Sequence, residues 1–454
     1  MKRRQFIKHS VAAGALAGFP TIIPAAVLGK NGQVPPSERI NIGMIGCGGI
    51  THTAEGRYMA HPQAHMLAVC DPYQDRRLAK KKIIDAHYAK AQNKPDYNGC
   101  LEYRDFRDLL ANKDIDGVYI ATGDYWHVPI SIMAARAGKD LHTEKPLGLC
   151  IHECLQMEKA ARKFNTVFQY GTEGRSMIGT RLGVELVLNG HIGKVRKVVI
   201  WAPAGQSGGN FTPAPIPDGF DYDLWLGPAP EAEYSPGRCA NTGIYHYYDY
   251  AIGFIAGWGA HPMDIFQWWA DHSGLDMPGK ASGTGTIPTE GAFNTITHWD
   301  VSYEYGSGLD VRFMDDATAG KTIPGIDEIK IDVSRKDHGV VFIGEKGQVF
   351  VQRGLFMSDP LEIREKHGRN PGPVTLHASR CHEHDWVDSM ISRKLPVSDL
   401  ASAVRSDILC HLGDISIRTG RKIKWDLDQR TIVDDEAARA MMYRTYRKPW
   451  SVEV

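Results

Sequence analysis

The sequence predicts an α/β protein in two parts: an N-terminal doubly wound parallel sheet, and a C-terminal α/β domain with an open, mostly antiparallel sheet. Three observations carry this. Strand-like and helix-like runs alternate from Arg39 to about Arg175, as a parallel sheet requires. The first strand-like run breaks at a glycine turn that opens a helix. Beyond Arg175, longer β-like runs follow one another with Gly/Pro-rich turns and few helices between them. At 454 residues the chain is too long for one small core. With 43% apolar and 23% charged residues it reads as globular, neither disordered nor built for a bilayer. Lys plus Arg equals Asp plus Glu at 53 each, so the charge balance gives no reason to expect nucleic acid as a partner.

In chain order, Arg3 and Arg4 precede Phe6, Ile7 and Lys8, and a mild apolar stretch over 11–28 follows, interrupted by Gly14, Gly18, Pro20 and Pro24. It is too short and too broken for a membrane helix, so no stable membrane anchor is expected. Residues 1–30 resemble a twin-arginine export signal, which implies the twin-arginine translocase as a partner and a periplasmic or otherwise exported destination. A chance basic start before a hydrophobic helix is the bland alternative. Residues 31–38, polar and with two prolines, read as a linker.

The run over 40–45 is β-branched and apolar, a buried strand, and it ends in Gly46-Cys47-Gly48 with Gly49 and Ile50 beyond. Gly46 permits the sharp turn, and Gly48 lets backbone approach a pyrophosphate at a helix N-terminus. The third glycine of the dinucleotide fingerprint is replaced by the small Thr51. A second strand over 65–70 ends at Asp71, at the spacing expected of an acid that accepts from ribose hydroxyls. Its charge opposes a 2′-phosphate and favours NAD, while Arg76 and Arg77 nearby keep NADP open. Helices are then expected over 72–91, 103–111, 126–137 and 151–164, and strands over 117–122, 140–146 and 166–170. This completes a nucleotide-binding domain over 39–175.

In the second domain, 176–454, strands are expected over 195–201, 297–305, 308–313, 329–334, 339–342 and 348–352. Helices are expected over 260–271, 381–391 and 398–420. The eight cysteines show neither a C-x-x-C pair nor metal-ligand spacing, and read as reduced and structural. His382 and His384, two residues apart, do not share a helical face, so no metal is expected.

Two constellations carry chemistry. Glu144-Lys145-Pro146 stands at the carboxyl end of a sheet strand, the edge where open α/β sheets place ligands. A lysine there can donate to a substrate hydroxyl, although residue type alone fits a surface lysine before a kink. In Gly257-Trp-Gly-Ala-His-Pro-Met-Asp264, His261 opens a helix behind two glycines and suits a general base near neutral pH. A satisfied structural histidine is the equal alternative. Asp264, one turn on, stands as a possible orienting carboxylate or as a cap. The tyrosine-rich run over 245–250 can line a sugar cleft or pack an interface.

Taken together, the strand–GCG–helix unit, Asp71, Thr122-Gly-Asp-Tyr-Trp-His127, Glu144-Lys-Pro146, Gly171-Thr-Glu-Gly-Arg175 and Gly-Ala-His-x-x-Asp264 resemble the Gfo/Idh/MocA superfamily, from about Arg39 to Asp426. The resemblance implies a Rossmann domain, a second α/β domain and an active site between them. It also implies hydride transfer to or from nicotinamide, with carbohydrates or polyols as substrates and a homodimer or homotetramer as the assembly. By the same resemblance, Lys145 contacts the reacting oxygen and His261 is the acid/base. The cofactor shell comprises Gly46, Gly48, Gly49, Ile50, Asp71, Thr122, Trp126, His127, Glu144 and Lys145, and Arg175 and Tyr248 are possible substrate contacts. Family dehydrogenases often carry an aspartate where this chain has Gly257, so the carboxylate partner of His261 is Asp264, Asp249 or absent. Export implies a tightly held cofactor. It also keeps open a redox-neutral glycosidase and a coupled sugar oxidoreductase; a non-catalytic sugar-binding protein is a separate alternative, against which Lys145 and His261 speak.

Overall fold

The computed structural model describes residues 35, 38–323, 329–333 and 336–454. The expected export signal, most of the linker and Ser334 lie outside the described residues. Strands β1 (Ile40–Ile45), β2 (Ala64–Cys70), β3 (Leu101–Tyr103), β4 (Gly117–Ile120), β5 (Asp140–Thr143) and β6 (Phe168–Tyr170) form one sheet in the order β3-β2-β1-β4-β5-β6. Every pairing in it is parallel. The order reverses between β1 and β4, which opens a crevice at their carboxyl ends. Helices α1 (Thr51–Ala60), α2 (Gln74–Gln92), α3 (Phe106–Ala111), α4 (Asp124–Arg136) and α5 (Ile151–Phe164) make the crossovers.

The second sheet has nine strands: β7 (Val195–Ala202), β8 (Lys280–Thr286), β9 (His298–Glu304), β10 (Asp310–Asp315), β11 (Gly339–Gly344), β12 (Gln348–Gln352), β13 (Leu355–Asp359), β14 (Ile423–Asp426) and β15 (Thr431–Val433). Their order is β13-β12-β11-β7-β10-β9-β8-β14-β15. Only β7 and β10 pair in parallel among them. One face is covered by α6 (Ile178–Leu188), α7 (Ala260–Ser273) and α9 (Leu400–Thr419), whose apolar faces join one core with the first sheet. No helix among the described residues is long and apolar enough to cross a membrane.

Three departures from the sequence reading have local causes. The helix expected over 103–111 is split: residues 101–103 form a short edge strand, and Asp105 caps the following helix by accepting from Arg107 N at 2.8 Å. Two of that strand's three residues are exposed, so it carries no buried pattern to read. The strand expected over 329–334 is absent over 329–333. Ile331 and Val333 instead pack on Val199, Trp201 and Phe350 at the outer face of the second sheet, so their alternation reflects one-sided burial without a ladder. Helix α6 was hidden by Gly179 and Gly183, which bring it against β12 and β13; a Cβ at Gly183 would lie 2.7 Å from Phe356.

Helix α8 (His382–Ser392) comes from the last quarter of the chain, yet it seals the first sheet. Its Trp386, Val387 and Met390 join Tyr58, Met44 and Tyr119 in one buried cluster. A Cβ at Gly117 would lie 2.8 Å from Met390 Sδ and 3.0 Å from the Trp386 ring, so β4 accepts this helix only with glycine there. Trp386 is fully buried, and Trp386→Ala is expected to cost about 3–5 kcal/mol. Chemical denaturation should register that loss in the transition of the first sheet, read through dinucleotide binding.

Candidate active site

The crevice is built from backbone first. Gly46 holds φ +91°, and a Cβ there would strike the Ala121 carbonyl, so the turn from β1 passes β4 at a distance only glycine allows. Around Gly48 and Gly49 a Cβ would meet nothing within 4 Å, so these two residues leave a cradle beside the start of α1. That helix has no side-chain cap and no acid in its first turn, so its dipole favours an anion there, while Thr51 N and His52 N donate to the Gly48 and Gly49 carbonyls at 3.3 Å. The cleft beyond them is lined by Gly46, Gly48, Gly49, Ile50, Asp71 and Thr122, and also by Arg76, Trp126 and Tyr245. A glycine cradle, an uncapped helix N-terminus and a buried acid at the second strand fit a dinucleotide.

Asp71 is buried, and its two oxygens accept from Cys47 N (2.9 Å) and Tyr73 N (2.8 Å). These bonds fix its orientation, and each oxygen keeps a second lone pair for a hydroxyl. Burial raises its pKa, and the two backbone donors oppose that shift. Arg77 is turned away, paired with Glu102, whereas Arg76 lines the cleft. Trp126 packs at the edge and donates to the Trp225 carbonyl at 3.1 Å. His127 does not line the cleft. Its Nδ1 donates to the Pro146 carbonyl at 2.7 Å, and burial holds the ring neutral by lowering its pKa to about 4.

That bond is one of several fixing the segment that carries Lys145. Asp407, from α9, accepts from Leu147 N and Gly148 N, both at 3.2 Å. Glu153, from α5, accepts from Leu149 N at 2.6 Å. Cys154 and His411 close on the same Asp407 carboxylate. These three donors lie near enough for a metal ion, but their atoms are engaged in holding this backbone. Glu144 is steadied by Tyr119, whose hydroxyl donates to Oε1 at 2.8 Å.

Lys145 reaches across to the second half of the chain: Nζ donates to the Gly257 carbonyl at 3.1 Å and lies 5.7 Å from the centre of the Tyr245 ring. The residue that stands in place of an aspartate therefore contributes its backbone carbonyl. His261, in the first turn of α7, is 6% exposed, and its Nδ1 is buried without a hydrogen-bond partner. Burial pushes its pKa well below 6.5, and Lys145, His338 and His382 push it the same way. The imidazole is thus neutral at pH 7 and able to take a proton.

The carboxylate candidates lie elsewhere. Asp264 is bound by Arg175, with Nε–Oδ2 at 2.7 Å and Nη2–Oδ1 at 2.6 Å, and both side chains are buried. The pair ties the segment after β6 to α7, so neither residue is free to orient His261 or to meet a substrate. Asp249 lines a separate cavity with Leu149 and Arg444. Tyr248 lies between Arg418 and Arg444 and donates to Asp414 at 3.2 Å; Tyr245 is the member of the tyrosine run that enters the cleft. Arg104 and Asn241 also line the cleft and carried no signal separable from an ordinary loop, and Asp124, inside the Thr122–His127 motif, lines it too.

Comparison with known proteins agrees with this layout. A family model described as "Oxidoreductase family, NAD-binding Rossmann fold" matches residues 40–172, and one described as "Oxidoreductase family, C-terminal alpha/beta domain" matches residues 175–452. Among curated proteins, a glycosyl hydrolase family 109 protein of Shewanella sp. (strain W3-18-1) is 33% identical over 181 residues, which are 36% of this chain and 37% of that protein. One from Saccharopolyspora erythraea is 30% identical over 173 residues. The match thus spans little more than a third of these relatives' length. The WlbA dehydrogenase of Bordetella pertussis, solved with NADH and UDP-GlcNAcA, superimposes with a TM-score of 0.61 at 14% identity, covering 86% of this chain and 99% of that one. The aldose-aldose oxidoreductase of Caulobacter crescentus, solved with glycerol, gives 0.57 at 16% identity, covering 85% and 99%. At these identities the structures speak for the fold.

Two outcomes test the geometry. Gly46→Ala should abolish dinucleotide binding in calorimetry while leaving a folded second sheet by circular dichroism. Asp264→Asn leaves Arg175 buried against a neutral partner and should cost about 3–5 kcal/mol in denaturant unfolding.

Proposed function

The chain belongs to the Gfo/Idh/MocA oxidoreductase family, and from that premise we propose that it is a sugar or polyol oxidoreductase that uses NAD, with Lys145 and His261 as its catalytic residues. The observation that carries this reading is a buried, neutral histidine with an unpartnered nitrogen, set within the field of a lysine that is anchored beside a dinucleotide cleft. When bound, the nicotinamide supplies a hydride acceptor or donor. The residues do the rest. Lys145 keeps donors beyond the one spent on Gly257 and holds the reacting oxygen. His261 takes the hydroxyl proton, and its low pKa returns that proton readily in the reverse direction. Trp258, whose ring lies 5.6 Å from that of His261, and Tyr245 provide aromatic faces for the sugar ring.

The arginine pair near the N-terminus supports export by the twin-arginine route, with the cofactor carried tightly inside the folded protein. A second reading has specific support. The family 109 relatives favour a glycosidase in which oxidation, elimination, water addition and reduction leave the cofactor unchanged overall.

The test is an assay over sugars, inositols and nitrophenyl glycosides, following reduced-nicotinamide absorbance and phenol release together. Net cofactor reduction is expected for the oxidoreductase; phenol release without net reduction assigns the glycosidase. Lys145→Ala should lower turnover by about 10²- to 10⁴-fold with NAD affinity nearly unchanged. Parallel loss of both would remove Lys145 from its catalytic role.

A further inference from the structure

Asp124 is a buried acid that the proposed chemistry leaves unused. It opens α4 directly after Gly123, is 2% exposed, and lines the dinucleotide cleft with Tyr245. Its Oδ2 is buried with no hydrogen-bond partner. Lys145 is the one cation among the groups that bear on it most. Burial raises the Asp124 pKa most and outweighs Lys145, and the like charges Asp407 from α9 and Glu144 from the end of β5 act in the same direction as burial. The Tyr245 hydroxyl faces the same corner with its pKa raised, and His127 on the same helix is held neutral. The carboxyl is consequently pushed up to about 8, which leaves it mostly protonated at pH 7.

We propose that Asp124 senses the redox state of the cofactor: it releases its proton when the oxidised dinucleotide binds and keeps it when the reduced one binds. The inference rests on the dinucleotide reading of the cleft. A nicotinamide ring carries a positive charge when oxidised and none when reduced. Placed in the cleft beside the buried Asp124 carboxyl, that charge favours the carboxylate, because a cation near a buried acid lowers its pKa. The balance is simple: protonated protein plus NAD⁺ gives the carboxylate complex and one proton in solution, whereas NADH binding moves no proton. The sign follows. NAD⁺ binding tightens as pH rises through the range where free Asp124 is protonated, and NADH binding stays flat. His261 cannot imitate this, because burial and the nearby Lys145 leave it without a proton throughout that range.

Asp124 is here a positioning group for charge, and its test reads binding. The full chain is titrated calorimetrically with NAD⁺ and with NADH from about pH 6.5 to about pH 9, in two buffers of different ionisation enthalpy. The NAD⁺ dissociation constant should fall about tenfold relative to that of NADH, the equivalent of about one unit of pKa change. The buffer dependence should report proton release with NAD⁺ alone, and Asp124→Asn should abolish both effects. If the wild type binds both forms with no buffer-dependent difference, the proposal is overturned, and this measurement decides even where the variant fails to fold. Persistence of the pH dependence in a folded Asp124→Asn protein overturns it equally. Binding of neither dinucleotide removes the cleft's reading, and this inference with it.

Discussion

The site depends on how two buried carboxylates hold one short segment of backbone. Leu147, Gly148 and Leu149 present three amide N–H groups in a place where water cannot serve them, and Asp407 and Glu153 accept from all three. A buried amide left unpaired costs about 1–3 kcal/mol, and a buried carboxylate left unpaired costs more, so each group requires the other. The outer lone pairs are also used: Tyr446 donates to Glu153 at 2.7 Å, and Cys154 donates to Asp407 at 3.1 Å. Removing any member leaves a charge or a donor stranded in a low-dielectric interior. Lys145 sits two residues before this clamp. A long, flexible cationic side chain can be aimed only if its backbone is immobile, and the clamp provides that.

The clamp also joins the two halves. Glu153 belongs to a crossover helix of the first sheet, but Asp407 lies on α9, which covers the second. The Arg175–Asp264 pair works in the same sense, fixing the segment after the first sheet to the helix that carries His261. Both halves of the lysine–histidine arrangement are therefore set by ion pairs or charge-assisted bonds that reach between the sheets. Aspartate 264, read from sequence as a possible tuner of the imidazole, acts through the backbone of α7 instead.

Much of this was legible in the sequence, for a physical reason. The strand over 40–45 was readable because both faces of a parallel sheet are buried and the run is apolar but for the half-buried Asn41. Helices over 151–164 and 260–273 were readable because they present long apolar faces. Strand β8, with the sequence KASGTGT, was invisible because close approach of Ile417 and neighbouring backbone selects glycine over β-branched residues there. At the site, Lys145 and His261 were drawn out by the motifs around them, since residue type alone fitted a surface lysine and a structural histidine. Tyr245 was legible only as one of a tyrosine-rich run and Asp124 only as part of the Thr122–His127 motif, since their meeting over the cleft depends on how α4 and the segment over 241–250 pack. Asp264 misled because three-residue spacing places it near His261 along the helix, while a guanidinium distant in sequence claims its carboxylate.

The helix that closes the first sheet bears on the order in which this protein can be made. Apolar groups of β1, β4 and α1 share one buried cluster with Trp386 and Met390. A ribosome supplies those residues only after most of the 454 have been polymerised. Until then the nucleotide half carries an open apolar face, a surface that aggregates or engages chaperones during synthesis. The apolar cluster on that face of the first sheet is thus completed late in the life of the nascent chain.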